Sequence, residues 1–259
     1  MISVPITVHS LINDSFEVYS KEMKKQGVGR IFLYGVGYPY DDTFIFKNSK
    51  KLSVLKQAIK KFKSDGFEVG IWVTGFGHSD VLYSGNVEKI KRKYRPIVSV
   101  DGKTAIHVPC PRDDRLRWDY FEGLRALARL SPDIMMIDDD FCLNDRQGNS
   151  FGCFCYACKA RLDGLVGEKL PQEELERLIF TDGKNKYRDA YNDVSRETLM
   201  SFARDAGEAI SQVDGRIRFA TCRARSCFVI QATDIDTNSS KVIIESDIPA
   251  YGYAAYEVK

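Results

Sequence analysis

The clearest indication of the fold is the stretch Asp133-Ile134-Met135-Met136-Ile137-Asp138-Asp139-Asp140 (DIMMIDDD). Four consecutive apolar residues in this stretch are typical of a strand that is buried on both faces of a parallel sheet. Three adjacent aspartates follow at its carboxyl end, which is the end where (β/α) barrels carry their functional residues. The stretch therefore predicts a buried parallel strand that leads directly into a candidate site.

Similar apolar runs occur on both sides of this strand, and amphipathic segments separate them. Apolar residues at helical spacing between the runs predict helices near 52–62, 118–127 and 187–210. The other predicted strands are Ser3–His9, Arg30–Gly37 (RIFLYGVG), Phe67–Thr74 (FEVGIWVT), Arg216–Cys222 and Lys241–Ser246. This alternation predicts a parallel α/β architecture. Because no glycine-rich phosphate loop follows the first strand, we favour a TIM (β/α)8 barrel over a doubly wound sheet.

The length of the chain limits how much of such a barrel it can form. A (β/α)8 barrel takes roughly 31 residues for each βα unit. Residues 75–113 and 141–184, after the third and fourth strands, are too long to be simple loops in this chain of 259 residues. The remainder suffices for about six units. We therefore expect one domain over residues 1–259, a barrel truncated after about six strands and a piece of a longer chain.

Composition excludes several classes of protein. Hydrophobic residues make up 44% and charged residues 29% of the chain, and the formal net charge is +2. This near balance argues against a nucleic-acid partner. No run of about 18 apolar residues predicts a membrane span. Residues 1–13 lack the features of a secretory signal, so we expect a cytoplasmic protein, and its oligomeric state stays open.

Three of the seven cysteines lie within six residues, as Cys153-Phe154-Cys155-Tyr156-Ala157-Cys158. The spacing lets their sulfur atoms approach one point, and tetrahedral zinc takes four such ligands. Cys110, between two prolines in the other long insertion, is the candidate fourth ligand. We therefore predict a structural zinc site that joins the two insertions.

Other interpretations of the cysteines stay open at this point. The four thiols could be buried as small apolar side chains, or Cys155 and Cys158 could form a redox pair. Cys142 is a reserve ligand because it begins the second insertion.

The aspartate triplet predicts chemistry because three adjacent carboxylates raise one another's pKa. A carboxyl group kept protonated in this way can act as a general acid. Alternatively, one or two members pair with arginines or cap the loop, or Asp138 and Asp140 hold Mg²⁺ for phosphoryl transfer. Further candidates lie at the predicted rim of the barrel. Those that we expect to contact a substrate, with Asp138, are His9, His78, Trp72 and Phe141.

Cys110, the C-x-C-x-x-C motif that begins 43 residues later, and the acidic run before Phe141 together resemble the glycoside hydrolase family 42 β-galactosidases. More generally, they resemble glycosidase-like barrels of the same clan. The segment Cys153–Leu162 (CFCYACKARL) is similar to the zinc loop of that family, and the local similarity covers roughly residues 98–163.

This resemblance implies a retaining glycosidase with two carboxylates and a four-cysteine structural zinc site. By position, Asp140 matches the acid/base, and Asp139 matches an asparagine that binds sugar hydroxyls. Both residues depart from the family pattern, because the acid/base there is a glutamate and its neighbour is a neutral amide. The matching nucleophile would lie beyond residue 259, and Glu245 is the one carboxylate placed to substitute for it.

The sequence therefore predicts a glycosidase that acts on a small glycoside or oligosaccharide. The first alternative is a barrel that binds carbohydrate but has lost hydrolysis. The second is the Mg²⁺-dependent phosphoryl-transfer enzyme.

Overall fold

The computed structural model describes residues 1–12, 16–76, 82–83, 93–138, 140–143, 152–222 and 255–257. Its main sheet contains five parallel strands that lie side by side in the order of the sequence. These strands are β1 (Ile2–Thr7), β2 (Val28–Tyr34), β3 (Glu68–Val73), β7 (Ile134–Ile137) and β8 (Arg218–Cys222). The neighbouring parallel strands are joined by helical connections, which is the arrangement of a (β/α) barrel and confirms the predicted fold class.

The described residues contain five α-helices. They are α1 (Phe16–Lys25), α2 (Ser49–Ser64), α3 (Asp114–Ala128), α4 (Tyr156–Val166) and α5 (Lys186–Ser211). Side chains that accept hydrogen bonds from free backbone N–H groups fix three helix starts: Asn48 for α2, Asp113 for α3 and Asn185 for α5. No helix in the described part of the chain is both long and apolar enough to cross a membrane.

The two faces of the main sheet are packed differently. Met135 and Ile137 point toward the helices and join the large apolar core. Ile134 and Met136 alternate with them and point to the opposite face, which we call the inner face. On the inner face they form a small cluster with Phe32 and Ala220, against which Trp72 packs.

The inner face is crowded at its centre. A Cβ atom on Gly70 would come within 2.5 Å of the Phe32 ring and 2.7 Å of Ile134. Gly70 therefore lets the larger side chains of the adjacent strands fill this layer. At the amino-terminal edge, Glu68 forms ion pairs with Arg30 and Arg218.

The described parts of the two long insertions contain regular secondary structure. The first contains a three-stranded antiparallel sheet in the order β4 (Leu82–Tyr83), β6 (Thr104–Pro109), β5 (Pro96–Val98). The second contains α4 and two short helical segments, Gln172–Glu174 and Arg177–Thr181. Ile97, Ala105, Val108 and Leu162 are buried, so both insertions contribute side chains to the apolar core.

The edge of the sheet beyond β8 differs from the prediction of a sixth parallel strand. The predicted sixth strand, Lys241–Ser246, lies outside the described residues. The strand next to β8 is β9 (Ala255–Glu257), and it pairs in the antiparallel direction.

Candidate functional site

Four cysteine side chains from the two insertions meet at one point in the structure. Cys110 follows β6, Cys153 and Cys155 precede α4, and Cys158 lies in its first turn. Their four Sγ atoms lie within 4.8 Å of one another, and all four residues are buried. We call this group the cysteine cluster. The predicted convergence of Cys110 with the C-x-C-x-x-C motif is confirmed.

The dimensions of the cysteine cluster fit a tetrahedral metal ion. The Sγ atom of Cys110 lies 3.6 Å from those of Cys155 and Cys158. These separations are too long for disulfide bonds, and the cysteines are free. Zinc–sulfur bonds of about 2.3 Å place neighbouring sulfur atoms of a tetrahedron about 3.8 Å apart. Four thiolates also fill every position around such an ion, so that the site suits a structural role.

The thiols of the cysteine cluster share their protons unequally. Hydrogen bonds from Cys110, Cys153 and Cys158 lower the pKa of Cys155 far below its ordinary value. Hydrogen bonds to Cys153 and Cys155, together with burial, raise the pKa of Cys110. Because thiolates are the metal-binding form, Cys155 supplies a charged ligand while Cys110 still holds its proton.

A guanidinium group lies against the cysteine cluster. Burial acts against the charge of Arg95, but the nearby Cys155 and Cys110 raise its pKa above the ordinary arginine value. The guanidinium stacks on the ring of Tyr156 at 4.4 Å, and one of its nitrogens lies 3.9 Å from the Asp113 carboxylate. The Arg95 carbonyl also accepts a hydrogen bond of 2.7 Å from the backbone N–H of Cys110. Arg95 therefore supplies a positive charge beside the thiolates.

A second group of side chains lies at the carboxyl end of the parallel sheet. Tyr34 ends β2, two residues after Phe32 on the inner face, and its side chain is 41% exposed. Trp72 approaches it from β3, with the two ring centroids 6.1 Å apart. His9 is exposed in the turn after β1.

Asp138 completes this second group. Its backbone N–H donates to the Val73 carbonyl at 2.8 Å, which extends the pairing of β7 with β3 by one residue. Alternation then places Asp138 on the same face as Ile134 and Met136. Its side chain is half-buried. We call His9, Tyr34, Trp72 and Asp138 the mouth of the inner face.

Asp140 lies in a different environment from Asp138. Its side chain is buried, and its Oδ1 atom accepts a hydrogen bond of 2.6 Å from the backbone N–H of Gly75. The nearby Tyr120 is fully buried and donates to the Thr74 carbonyl at 2.8 Å. Burial and the charge of Asp140 raise the pKa of Tyr120. Asp140 thus joins the ends of β7 and β3.

The remaining predicted site residues are divided between the core and the part of the chain that is not described. Phe141 packs on Phe76 and Phe202, with ring centroids 5.1 and 5.9 Å apart, so that its ring belongs to an aromatic cluster on the helix side. The reserve ligand Cys142 is buried and does not belong to the cysteine cluster. Asp139, His78 and Glu245 lie outside the described residues.

The sequence did not single out Tyr34 among several aromatic residues near the rim. The signal was present in the alternation of β2, because Phe32 and Tyr34 must share a face. Arg95 was also missed, since nothing in the sequence connects an arginine to cysteines 15 and 60 residues later.

Comparisons with known proteins show the fold of the chain. No protein-family model and no curated protein matches it. Among solved structures, the catalytic domain of the β-amylase from Paenibacillus polymyxa is similar, with a TM-score of 0.55 and 14% identity over 84% of this chain and 64% of that one. The β-galactosidase from the psychrophilic Marinomonas ef1 has a TM-score of 0.54 and 9% identity over 85% of this chain and 36% of that one.

These are similarities of fold, which the chain shares with both enzymes. The chain spans less than two thirds of the length of both structures. At such low identity the comparison concerns the fold alone, and function must be argued from the site.

Proposed function

We propose that the protein is a glycoside hydrolase whose reaction takes place at the mouth of the inner face. The observation that carries this proposal is a carboxylate, Asp138, at the carboxyl end of the fourth parallel strand, on the same face as the neighbouring rings of Tyr34 and Trp72. The apolar C–H face of a sugar packs well on an aromatic ring, and a carboxyl group beside it can transfer a proton to or from a glycosidic oxygen. The names of the structurally similar enzymes agree with a carbohydrate substrate.

The three aspartates receive different proposed roles. Asp138 is the candidate general acid because it lies on the inner face and is half-buried. Asp140 was the acid/base implied by the family resemblance, and it remains a candidate through its buried carboxyl group. Its hydrogen bond with Gly75 equally suits a residue that fixes the end of β7. For Asp139 we retain the contact with sugar hydroxyls that the resemblance implies.

We further propose that the cysteine cluster holds a structural Zn²⁺ ion. All four protein ligands are sulfur, which favours zinc over hard cations such as Mg²⁺. The ion would join the antiparallel sheet of the first insertion to α4 of the second. It would supply no catalysis, because the four thiolates leave no position for water or substrate.

Hydrolysis of a panel of nitrophenyl glycosides tests the proposed activity and the role of each aspartate. If Asp138 transfers the proton, Asp138→Asn should lower kcat/KM by about 100-fold or more. Asp140→Asn should then act mainly through stability, with a smaller loss of activity at a temperature where both variants are folded. The opposite ranking would make Asp140 the acid/base.

The same assay separates the alternatives. A protein that binds sugars but hydrolyses none of the panel is the non-catalytic carbohydrate-binding barrel. We do not propose Mg²⁺-dependent phosphoryl transfer, because Asp140 contacts Gly75 while Asp138 belongs to the inner face. Activity that is lost in EDTA and restored by Mg²⁺ would contradict this choice.

A further inference from the structure

A groove of about 330 Å³ lies beside the segment that follows β2. One wall is formed by residues 39–47, and the other by Lys93, Tyr94 and the α3 residue Asp119. Because the first wall directly follows a parallel strand, the groove lies on the side of the sheet where the strands end, as does the mouth. None of the residues that line the groove belongs to the mouth or to the cysteine cluster.

The groove is held open by contacts between its walls. The Tyr94 hydroxyl has two acceptors, the Asp119 carboxylate at 2.5 Å and the Tyr40 carbonyl at 2.7 Å. The rings of Tyr40 and Tyr94 meet edge to face with centroids 5.6 Å apart. The Tyr40 hydroxyl donates to the Phe76 carbonyl at 3.1 Å. A ligand would therefore meet a preformed surface, which lowers the entropic cost of binding.

Close packing fixes the first wall against α3. A Cβ atom on Gly123 of α3 would come within 2.6 Å of the Pro39 side chain. The absence of that atom lets Pro39 rest directly on the helix. Asp41 also accepts a hydrogen bond of 2.7 Å from the backbone N–H of Thr43, which stabilises the turn that follows.

The polar groups of the groove indicate the chemical class of its ligand. The Asp119 carboxylate forms an ion pair with Lys93 at 2.7 Å and accepts a hydrogen bond from Tyr94. These three side chains therefore have partners within the protein. Asp42 and Lys47 are exposed, and the side chain of neither forms a hydrogen bond or ion pair with another described residue. One can accept hydrogen bonds and the other can donate them.

A sugar hydroxyl can do both, so a neutral sugar unit could use both side chains. Three carboxylates, on Asp41, Asp42 and Asp119, disfavour an anion, while Lys47 and Lys93 disfavour a cation. The apolar part of the lining, from Tyr40, Phe44 and Tyr94, suits the C–H face of a sugar ring. The volume suits one or two sugar units, at the small end of ligand pockets.

We infer that this groove is a second carbohydrate-binding site, distinct from the mouth, which binds a neutral sugar unit of an oligosaccharide. The inference rests on the proposed carbohydrate substrate and deepens it, because a second site favours oligosaccharides over simple glycosides. It does not require that the mouth be catalytically active.

Binding can be measured without hydrolysis in the Asp138→Asn variant. Saturation-transfer NMR and titration with maltotriose and β-1,4-galactobiose would give Kd values for each sugar. The test variant adds Asp42→Ala and Lys47→Ala, and the matched control adds Asp193→Ala and Arg196→Ala. The control pair forms an exposed ion pair on α5, away from the groove.

We expect Asp138→Asn to bind at least one of these sugars, with at least a tenfold loss of affinity in the groove variant and no loss in the control. Equal affinity in the groove variant and the control would overturn the inference, as would no binding of either sugar. If the wild type hydrolyses nitrophenyl glycosides, either of these results would contradict the groove inference and leave the proposed activity supported.

Discussion

The cysteine cluster and the mouth of the inner face differ in how the chain brings their residues together. The cluster takes its ligands from two segments outside the main sheet, and its four side chains are 0–6% exposed. The mouth takes one side chain from each of four neighbouring strands, or from the first or second residue beyond the strand, and leaves Tyr34 41% exposed. The cluster is closed to ligands other than an ion, whereas the mouth can admit a substrate.

This difference suggests that the cysteine cluster contributes to stability and the mouth to function. A change in the cluster should destabilise both insertions, because the proposed metal connection between them would be lost. A change at an exposed residue of the mouth, such as Tyr34, should leave the fold intact, because exposed side chains contribute little to burial. Four substitutions test whether the cysteine cluster serves stability and the mouth serves function.

Replacing Cys110 with serine removes the one ligand that the first insertion contributes. We expect the free energy of unfolding to fall by more than about 4 kcal/mol, the stabilisation given by a ligand at a thousand times its Kd. Chemical denaturation and metal analysis would measure the change. Cys142→Ala is the matched control, because Cys142 is buried outside the cluster and should cost about 1 kcal/mol without loss of metal.

Replacing Gly75 with alanine tests the connection between β3 and β7 below the mouth. The new Cβ atom would lie 2.5 Å from Oδ1 of Asp140 and 2.9 Å from the backbone nitrogen of Phe141. We expect a loss of about 2 kcal/mol in stability and a shifted Asp140. Gly164→Ala in α4 is the control, since no described atom outside its own stretch of helix lies within 4 Å of its Cβ position and alanine favours helix. A stable Gly75→Ala variant would show that the contact is not rigid.

Replacing Arg95 with methionine removes the positive charge beside the cysteine cluster and keeps much of the side-chain volume. We expect about a tenfold weaker affinity for Zn²⁺, in the range found for outer-shell partners of metal ligands. Competition with a chromogenic chelator would measure it. Arg161→Met removes an exposed partner of Glu197 instead, and it should leave the affinity unchanged. Equal affinities for both variants would rule out a role for Arg95.

Replacing Tyr34 with alanine should have the smallest effect on stability, about 1 kcal/mol or less, because the ring is 41% exposed. If the ring packs on a sugar, the substitution should still raise KM for a hydrolysed glycoside several-fold. Trp118→Ala is the control, because it removes another exposed aromatic ring, which lies on α3 and outside the mouth. An unchanged KM would place the sugar elsewhere.

The sequence predicts the repeated parts of this structure better than its irregular parts. Apolar runs identified all five parallel strands, and cysteine spacing identified the cluster, because both patterns are local or chemically distinctive. The antiparallel sheet of the first insertion was missed because Pro96–Val98 and Thr104–Pro109 are short and carry little periodicity. Their pairing depends on contacts that a linear pattern does not contain.

The site residues divide in the same way. Asp138 and Trp72 lie at the mouth as the strand pattern predicts, since alternation holds within a strand. Phe141 lies beyond the end of β7, where alternation no longer applies, and its ring turns toward Phe76. Asp140 likewise follows the last paired residue, and its direction is determined by the backbone of Gly75.

The separation of Cys110 from its partners along the chain has a consequence for biosynthesis. Translation at about 5–20 residues per second delivers Cys155 roughly 2 to 9 s after Cys110. For most of that interval Cys110 lacks the thiols of the C-x-C-x-x-C motif, and the segment around it cannot pack on α4. If the cluster binds zinc, the first insertion can be fixed to α4 only after the ion reaches the nascent chain. When zinc is scarce, the Cys110 thiol would stay open to oxidation during translation.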